Sequence, residues 1–244
     1  MGKIIVITGG GDGLGRAMAR RFVADGDSVV LLGRTLSKVQ AVADELGESA
    51  MAVACDVSSP DSVRAAFLAI AQRHPKIDVL INNAAIYEPF TVAEATDAQI
   101  TTTLLINLAG PIYTARAAVP MMDRGGHIIN ITSESVTVPF PMMSLYQSSK
   151  AGLERFTSAL SQELQSAGIR ATVVRAGQMA EEGRSSNWAP EVSMRFGQAC
   201  MAAGIDPRSR PISHFQSVVE VFRAVIDMPA DVQLETVVIA ARKP

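Results

Sequence analysis

The strongest constraint on this chain is a buried strand that runs straight into a glycine-rich turn. Ile4-Ile5-Val6-Ile7 is an unbroken β-branched run, and Thr8-Gly9-Gly10-Gly11-Asp12-Gly13-Leu14-Gly15 follows it directly. A strand apolar at every position must be covered on both faces, as in a parallel sheet. The run is too short for a signal or membrane segment. An amphipathic stretch begins after the turn, so the order is strand, tight loop, helix. That order predicts a sheet whose crossovers are helices.

The rest of the chain repeats the pattern. Short apolar runs predict strands at 3–7, 28–32, 50–54, 77–81, 126–131, 169–174 and 235–240. Amphipathic stretches predict helices at 14–25, 36–46, 60–73, 97–122, 145–167 and 212–227, with Pro111 kinking the fourth. Gly26, Gly47 and Gly168 stand where helix C-caps are expected. The expected fold class is α/β: a Rossmann-type, doubly wound, mainly parallel seven-stranded sheet with helices on both faces. No linker or repeat interrupts it, so residues 1–244 read as one domain. Between 177 and 211 the periodicity fails in a mixture of Gly, Ser, Pro and Arg with Trp188, Met194, Phe196 and Met201. A connection of that length is expected to be functional, here a substrate lid.

Composition narrows the partners. Over 244 residues the formal net charge is -2, and no dense Lys/Arg run occurs. Nucleic acid and anionic membrane surfaces are therefore not expected partners. Cys55 and Cys200 lack metal or redox spacing, which fits a reducing, cytoplasmic setting. His74, His127 and His214 are scattered, so no metal is assigned.

In the turn, glycines let the backbone bend tightly and approach a pyrophosphate, whose charge meets the helix N-terminus. The spacing is Gly-x-x-x-Gly-x-Gly, which makes a dinucleotide the expected ligand. Gly33-Arg34 ends the second strand. An acidic residue there would take the ribose hydroxyls of NAD, whereas arginine accommodates the 2′-phosphate of NADP. Asp12 argues the other way, since a carboxylate facing that phosphate would repel it. The balance favours NADP(H) over NAD(H), with Arg34 as an ordinary solvated cation the alternative.

Farther on, Tyr146-Gln147-Ser148-Ser149-Lys150 places a phenol and an ammonium on one helical face. An adjacent ammonium favours the phenolate and is expected to bring the tyrosine pKa down from about 10. Such a pair can serve as a general acid/base.

With these residues assembled, the chain resembles the short-chain dehydrogenase/reductase family of the compact, single-domain kind. The resemblance rests on Thr8-Gly9-x-x-x-Gly13-x-Gly15, Asp56-Val57 after the third strand, and Asn82-Asn83-Ala84-Ala85 after the fourth. It also rests on Asn107 in the long helix, and on Ser133 followed by Tyr146 and Lys150. It implies a catalytic set of Asn107, Ser133, Tyr146 and Lys150. Tyr146 would exchange a proton with the substrate oxygen, and Ser133 would hydrogen-bond that oxygen. Lys150 would hold the nicotinamide ribose and lower the tyrosine pKa, and Asn107 would anchor a water near it. Thr132 and Ser135 flank the same strand end and keep the choice of hydroxyl open. The implied cofactor set is Gly9, Gly11, Asp12, Gly13, Leu14, Gly15, Arg34, Asp56, Val57, Asn83, Ala84, Ala85, Tyr146, Lys150, Ala176 and Gly177.

Departures from the family pattern mark a divergent member. Ala176-Gly177 replaces Pro-Gly, Glu181 replaces a threonine, and Ala85 replaces glycine; the C-terminal Ala241-Arg242-Lys243-Pro244 lacks the Asp-Gly-Gly ending. Candidate pocket walls are Glu134, Ser135, Val136, Pro139 to Met143 (Phe140 and Met143 above all), and the 180–205 stretch with Trp188 and Phe196. Their apolar character suggests a ketone or secondary alcohol on a hydrophobic or aromatic skeleton. Phe140, Met142 and Met143 could equally pack in an oligomer interface. The family commonly associates through its two long helices, which implies a homodimer or homotetramer through 97–122 and 145–167, with Ser148, Ser149, Ala151 and Gly152 permitting close approach. The expected activity is hydride transfer between NADP(H) and a small carbonyl or alcohol. A non-catalytic NADP(H)-binding redox sensor is the alternative.

Overall fold

The computed structural model describes residues 2–180 and 188–242. The strands and helices, in chain order, are β1 (Ile4–Thr8), α1 (Gly13–Ala24), β2 (Ser28–Gly33), α2 (Leu36–Leu46), β3 (Ala50–Ala54), α3 (Pro60–Arg73) and β4 (Val79–Asn82). Then come α4 (Asp97–Leu104), α5 (Gly110–Ala118), β5 (His127–Ser133), α6 (Ser144–Glu163), β6 (Arg170–Ala176) and β7 (Met179–Ala180). Last are α7 (Pro190–Ala202), β8 (Ser213–His214), α8 (Phe215–Ile226) and β9 (Thr236–Ile239). Seven strands form one fully parallel sheet in the order β3-β2-β1-β4-β5-β6-β9, and β7 and β8 make a separate parallel pair.

Period-two alternation divides each central strand between two cores. Ile5, Ile7, Leu31, Ile81 and Ile129 face Met18 and Phe22 of α1 and Phe222 of α8. Val6, Val30, Leu32, Leu80 and Ile128 face Phe67 and Ile70 of α3, Ala115 of α5 and Leu160 of α6. Each such aliphatic or aromatic side chain contributes about 1.5–3 kcal/mol on full burial. The sheet is therefore a rigid platform under everything at its edge.

Three elements differ from expectation. The helix expected over 97–122 is broken into α4 and α5 by a π-helical turn at Leu105–Ala109, with Pro111 immediately after it. Proline has no N–H and its ring crowds the preceding turn, so the widened turn absorbs the misfit. The next long helix stops at Glu163, short of 167, and Gly168 (φ +69) turns the chain toward β6. The stretch expected to be irregular contains α7, which exposes Met194 and Met201 while burying Cys200. Apolar residues scattered around that helix hide its period. Gly26 and Gly47, with φ of +91 and +73, turn the chain at the ends of α1 and α2 as expected.

A buried polar chain ties the helices to the sheet. Thr114 on α5 donates to Asn82 Oδ1 (2.7 Å), Asn82 Nδ2 to Asn130 Oδ1 (2.8 Å), and Asn130 Nδ2 to Thr157 on α6 (2.8 Å). These groups are sealed from water, so each partner is costly to lose. The chain fixes α5 and α6 in register with β4 and β5.

Candidate active site

Because all strands run the same way, the candidate residues gather along the C-terminal edge of the sheet. Strand order reverses between β1 and β4, which opens a crevice there. Around it stand the glycine turn after β1, Arg34 after β2, Asp56 after β3, Asn83 to Ala85 after β4, Ser133 at the end of β5 and Gly177 after β6.

The turn is held by contacts that leave no room for side chains. Gly9 (φ +67) and Gly13 (φ +52) occupy the left-handed region. A Cβ on Gly15 would stand 2.2 Å from the Gly9 carbonyl oxygen. Thr8 Oγ1 accepts the N–H groups of Asn83 (3.0 Å) and Ala84 (2.9 Å), and Asn83 Nδ2 donates to the carbonyls of Thr8 (2.9 Å) and Gly9 (3.3 Å). The Leu14 side chain lies in the core beneath the turn. Asp12 caps α1, with Oδ1 accepting the Gly13 N–H at 2.8 Å.

A cavity of about 260 Å³ opens beside the turn, lined in part by Gly9, Arg34, Asp56, Val57, Asn83, Ala84 and Ala85. Seven of the residues singled out in the sequence thus meet at one surface. Gly33, Cys55, Ile86 and Ile106 also line it. Burial pushes the Cys55 thiol up to about 11, so it is an apolar wall and not a thiolate. Asp56 Oδ1 accepts from the N–H (3.0 Å) and hydroxyl (2.6 Å) of Ser58. Lys38 also comes in: a Cβ on Gly11 would lie 3.2 Å from its backbone and Cβ. Arg34 and Lys38 are exposed cations beside the same loop. Nothing in the local sequence separates Lys38 from any other helix-surface lysine.

At the end of β5, Tyr146, Ser133 and Lys150 come together. The Ser133 hydroxyl hydrogen-bonds the Tyr146 phenol. Lys150 is almost wholly buried; its Nζ donates to the Ile131 carbonyl at 2.9 Å and lies 5.9 Å from the Tyr146 ring centre. The sequence led us to expect a lowered tyrosine pKa. With the chain's own groups the direction is reversed: burial pushes Tyr146 up to about 12 against the Ser133 hydrogen bond, and Tyr87 adds to the rise. Burial pushes Lys150 down to about 8. Desolvation of both groups outweighs their mutual attraction.

Asn107 sits in the π-helical turn, fully buried. Its amide group donates to the Ile86 carbonyl (2.8 Å) and Ser149 Oγ (3.3 Å), and its Oδ1 accepts the Ile86 N–H (2.9 Å). The side chain is therefore committed to holding the loop after β4. Its main-chain carbonyl faces Pro111 as the residue four positions on, which has no N–H to give it. Ser149 is buried on Asn107, and a Cβ on Gly152 would meet Leu108, so both face inward; Ser148 and Ala151 are exposed. Gly177 follows Ala176 and packs on β9, where a Cβ would stand 2.7 Å from the Ile239 carbonyl oxygen.

Opposite Tyr146 the walls are aromatic. Ring centres step from Tyr146 to Tyr87 (6.0 Å), to Trp188 (5.6 Å), to Phe196 (5.4 Å) and to Phe140 (6.5 Å). Trp188 Nε1 also donates to the Tyr87 carbonyl at 3.0 Å. Met143 is buried within its own chain, which removes it from the alternative interface role. Met142 takes a positive φ of 61, and its carbonyl accepts the Phe90 N–H at 2.8 Å. Ser135 is buried with its hydroxyl unpartnered, and Glu134 pairs with Arg210. Tyr87 and Arg210 were not legible as site residues: each arrives from a distant part of the chain. Glu181 lies outside the described residues. Among the described residues no three His, Cys, Asp or Glu side chains form a potential metal site, and no helix is long and apolar enough to cross a membrane.

A family model described as short chain dehydrogenase matches residues 3–191. An NADP-dependent 3-hydroxy acid dehydrogenase of Salmonella typhi is 31% identical over 239 residues, covering 96% of this chain and 93% of that protein. Carbonyl reductase family member 4 of Danio rerio is 34% identical over 179 residues, or 72% of this chain and 76% of its own length. Among solved structures, the closed form of serine dehydrogenase complexed with NADP+ is 25% identical, with a TM-score of 0.83 over 97% of this chain and 94% of that one.

Proposed function

This chain belongs to the short-chain dehydrogenase family, and from that premise we propose that it moves a hydride between NADP(H) and a small ketone or secondary alcohol. The residues fit the cofactor: the glycine turn leaves space that any Cβ would fill, and the cavity beside it continues to Arg34, Asp56 and Val57. When bound, the nicotinamide gives or accepts the hydride. Arg34 and Lys38 supply positive charge for a 2′-phosphate. Asp12, engaged as a helix cap, is a weaker counterargument than its position in the turn suggested. Asp56 and Val57 bound the adenine end, and Lys150 holds the nicotinamide ribose.

In the reductive direction Tyr146 gives its phenolic proton to the carbonyl oxygen as the carbon receives the hydride, and Ser133 donates a hydrogen bond to that oxygen. A bound ribose and the Lys150 ammonium lower the cost of the phenolate that results. The free Asn107 carbonyl offers an acceptor for a water on the way to Lys150. Residues 177–211 act as the lid of a single domain, docked through Trp188. The exposed Ser148 and Ala151 on α6 suit a second copy, giving a homodimer or homotetramer. A cytoplasmic setting suits such an enzyme. The single observation that carries the reading is the convergence of Ser133, Tyr146, Lys150 and Asn107 beside the glycine turn. The NADP dependence named for the Salmonella relative supports the cofactor choice.

The test is a panel of ketones and alcohols followed by nicotinamide absorbance with both cofactors. Turnover with NADPH over NADH is expected, and Arg34→Ala should narrow that preference. Tyr146→Phe should cut turnover by about 10²–10⁴ while NADPH fluorescence titration stays close to the parent. Undiminished turnover in Tyr146→Phe would overturn the assignment.

A further inference from the structure

Resting on the hydride-transfer reading above, we infer that Arg210 anchors a carboxylate of the substrate, so that the enzyme acts on a short hydroxy or oxo acid. Arg210 lies 76 positions from Glu134 in the chain, yet the two side chains pair. Glu134 directly follows Ser133 and lies 3.7 Å from where a Cβ on Gly177 would be. The guanidinium therefore stands at the two strand ends that bound the reacting centre.

Its hydrogen bonding is half used. Glu134 engages Nη2, whereas Nε is buried and has no partner. Nε and Nη2 together form the side-on fork that receives both oxygens of one carboxylate. The guanidinium carbon is held 5.2 Å from the centre of the Phe140 ring, and Phe140 packs toward Phe196. A cation over an aromatic face in a half-buried site is stronger than one in water. The surrounding walls, Phe196, Trp188, Tyr87 and Met143, carry no formal charge. A neutral ketone would leave the open Nε without use. Glu134 keeps the cation paired in the free chain, and a carboxylate arriving through the same fork completes it. Arg210 is thus a specificity residue, and it restricts the hydrophobic skeleton suggested by the walls to one that ends in an anion.

The full-length protein offers a readout independent of turnover, because Trp188 is its only tryptophan and stacks on Phe196. With NADP+ present, 3-hydroxybutyrate and its methyl ester are titrated by tryptophan fluorescence. Saturable binding of the acid is expected, at least tenfold tighter than the ester. Arg210→Met should abolish that preference. Arg210→Lys, which keeps the charge but loses the fork, should retain part of it and guards against a merely misfolded variant. Equal binding of acid and ester, no saturable binding of the acid, or an undiminished preference in Arg210→Met would overturn the carboxylate anchor. If acid binding follows the expected pattern but neither compound is turned over, the anion site stands and the hydride-transfer reading fails.

Discussion

The glycine-turn side of the cleft is fixed by main-chain contacts, whereas the wall opposite Tyr146 is fixed by side chains that meet across long stretches of sequence. On the first side a Gly15 Cβ would collide with a carbonyl at 2.2 Å, and Thr8 and Asn83 bind backbone. On the second, the Trp188 indole rests on Tyr87, Arg195 on Glu94, and Arg210 on Glu134. Backbone geometry tolerates almost no substitution, because every residue type shares it. Side-chain stacking and partly exposed ion pairs can be exchanged one at a time. This is the physical basis for a constant cofactor chemistry facing a variable substrate wall.

The sharpest way to break the contrast is Gly15→Val. Overpacking against a fixed carbonyl costs about 1–3 kcal/mol or more, so NADPH titration should show affinity lost by roughly tenfold at least, with thermal stability lowered too. Near-parental affinity would mean the turn is softer than its contacts imply.

Lys150 gives the next effect. Burial moves its pKa from 10.5 to about 8, so the folded chain binds fewer protons than the unfolded chain between those values. Stability should therefore rise with pH across that window, and the full penalty, up to about 3 kcal/mol, applies below it. Tyr146, raised to about 12, acts in the opposite sense only above about pH 10. Lys150→Met should accordingly raise the melting temperature at pH 7 more than at pH 10. A gain of equal size at both pH values would contradict the buried-ammonium account.

On the variable side, Trp188→Ala should raise KM for a working substrate by about tenfold, in line with roughly 1–3 kcal/mol for a buried aromatic contact, and leave NADPH affinity nearly unchanged. A matching loss of cofactor affinity would show the two sides to be coupled. The smallest change is expected from Arg195→Ala. Its pair with Glu94 is about half exposed on each side, and such pairs contribute roughly 0–1 kcal/mol. Denaturant melts should hardly move.

Much of the constant side was legible because its rules are local. Gly9, Gly13 and Gly15 announce close backbone approach, and Asn83, Asp56 and Arg34 follow strand ends that hydrophobic periodicity locates well. Ser133, Tyr146 and Lys150 could be placed by spacing along one strand and one helix. Three things escaped. The tyrosine pKa went up because burial, which spacing does not report, outweighs the neighbouring ammonium. Asn107 turned out to spend its side chain on Ile86 and Ser149, since a π-helical turn before Pro111 aims it there. Tyr87 and Arg210 reach the site from segments whose own sequence carries no sign of it.

The sequence by itself determined the parallel α/β platform, the glycine turn at its edge and the serine–tyrosine–lysine set. Each follows from periodicity, left-handed φ angles or fixed spacing, all properties of neighbouring residues. Only the tertiary structure decided which side chains face the tyrosine, which cation meets Glu134, and how far burial shifts Tyr146 and Lys150. Those depend on desolvation and on contacts between residues as far apart as 76 and 101 positions, and distance along the chain carries no trace of them.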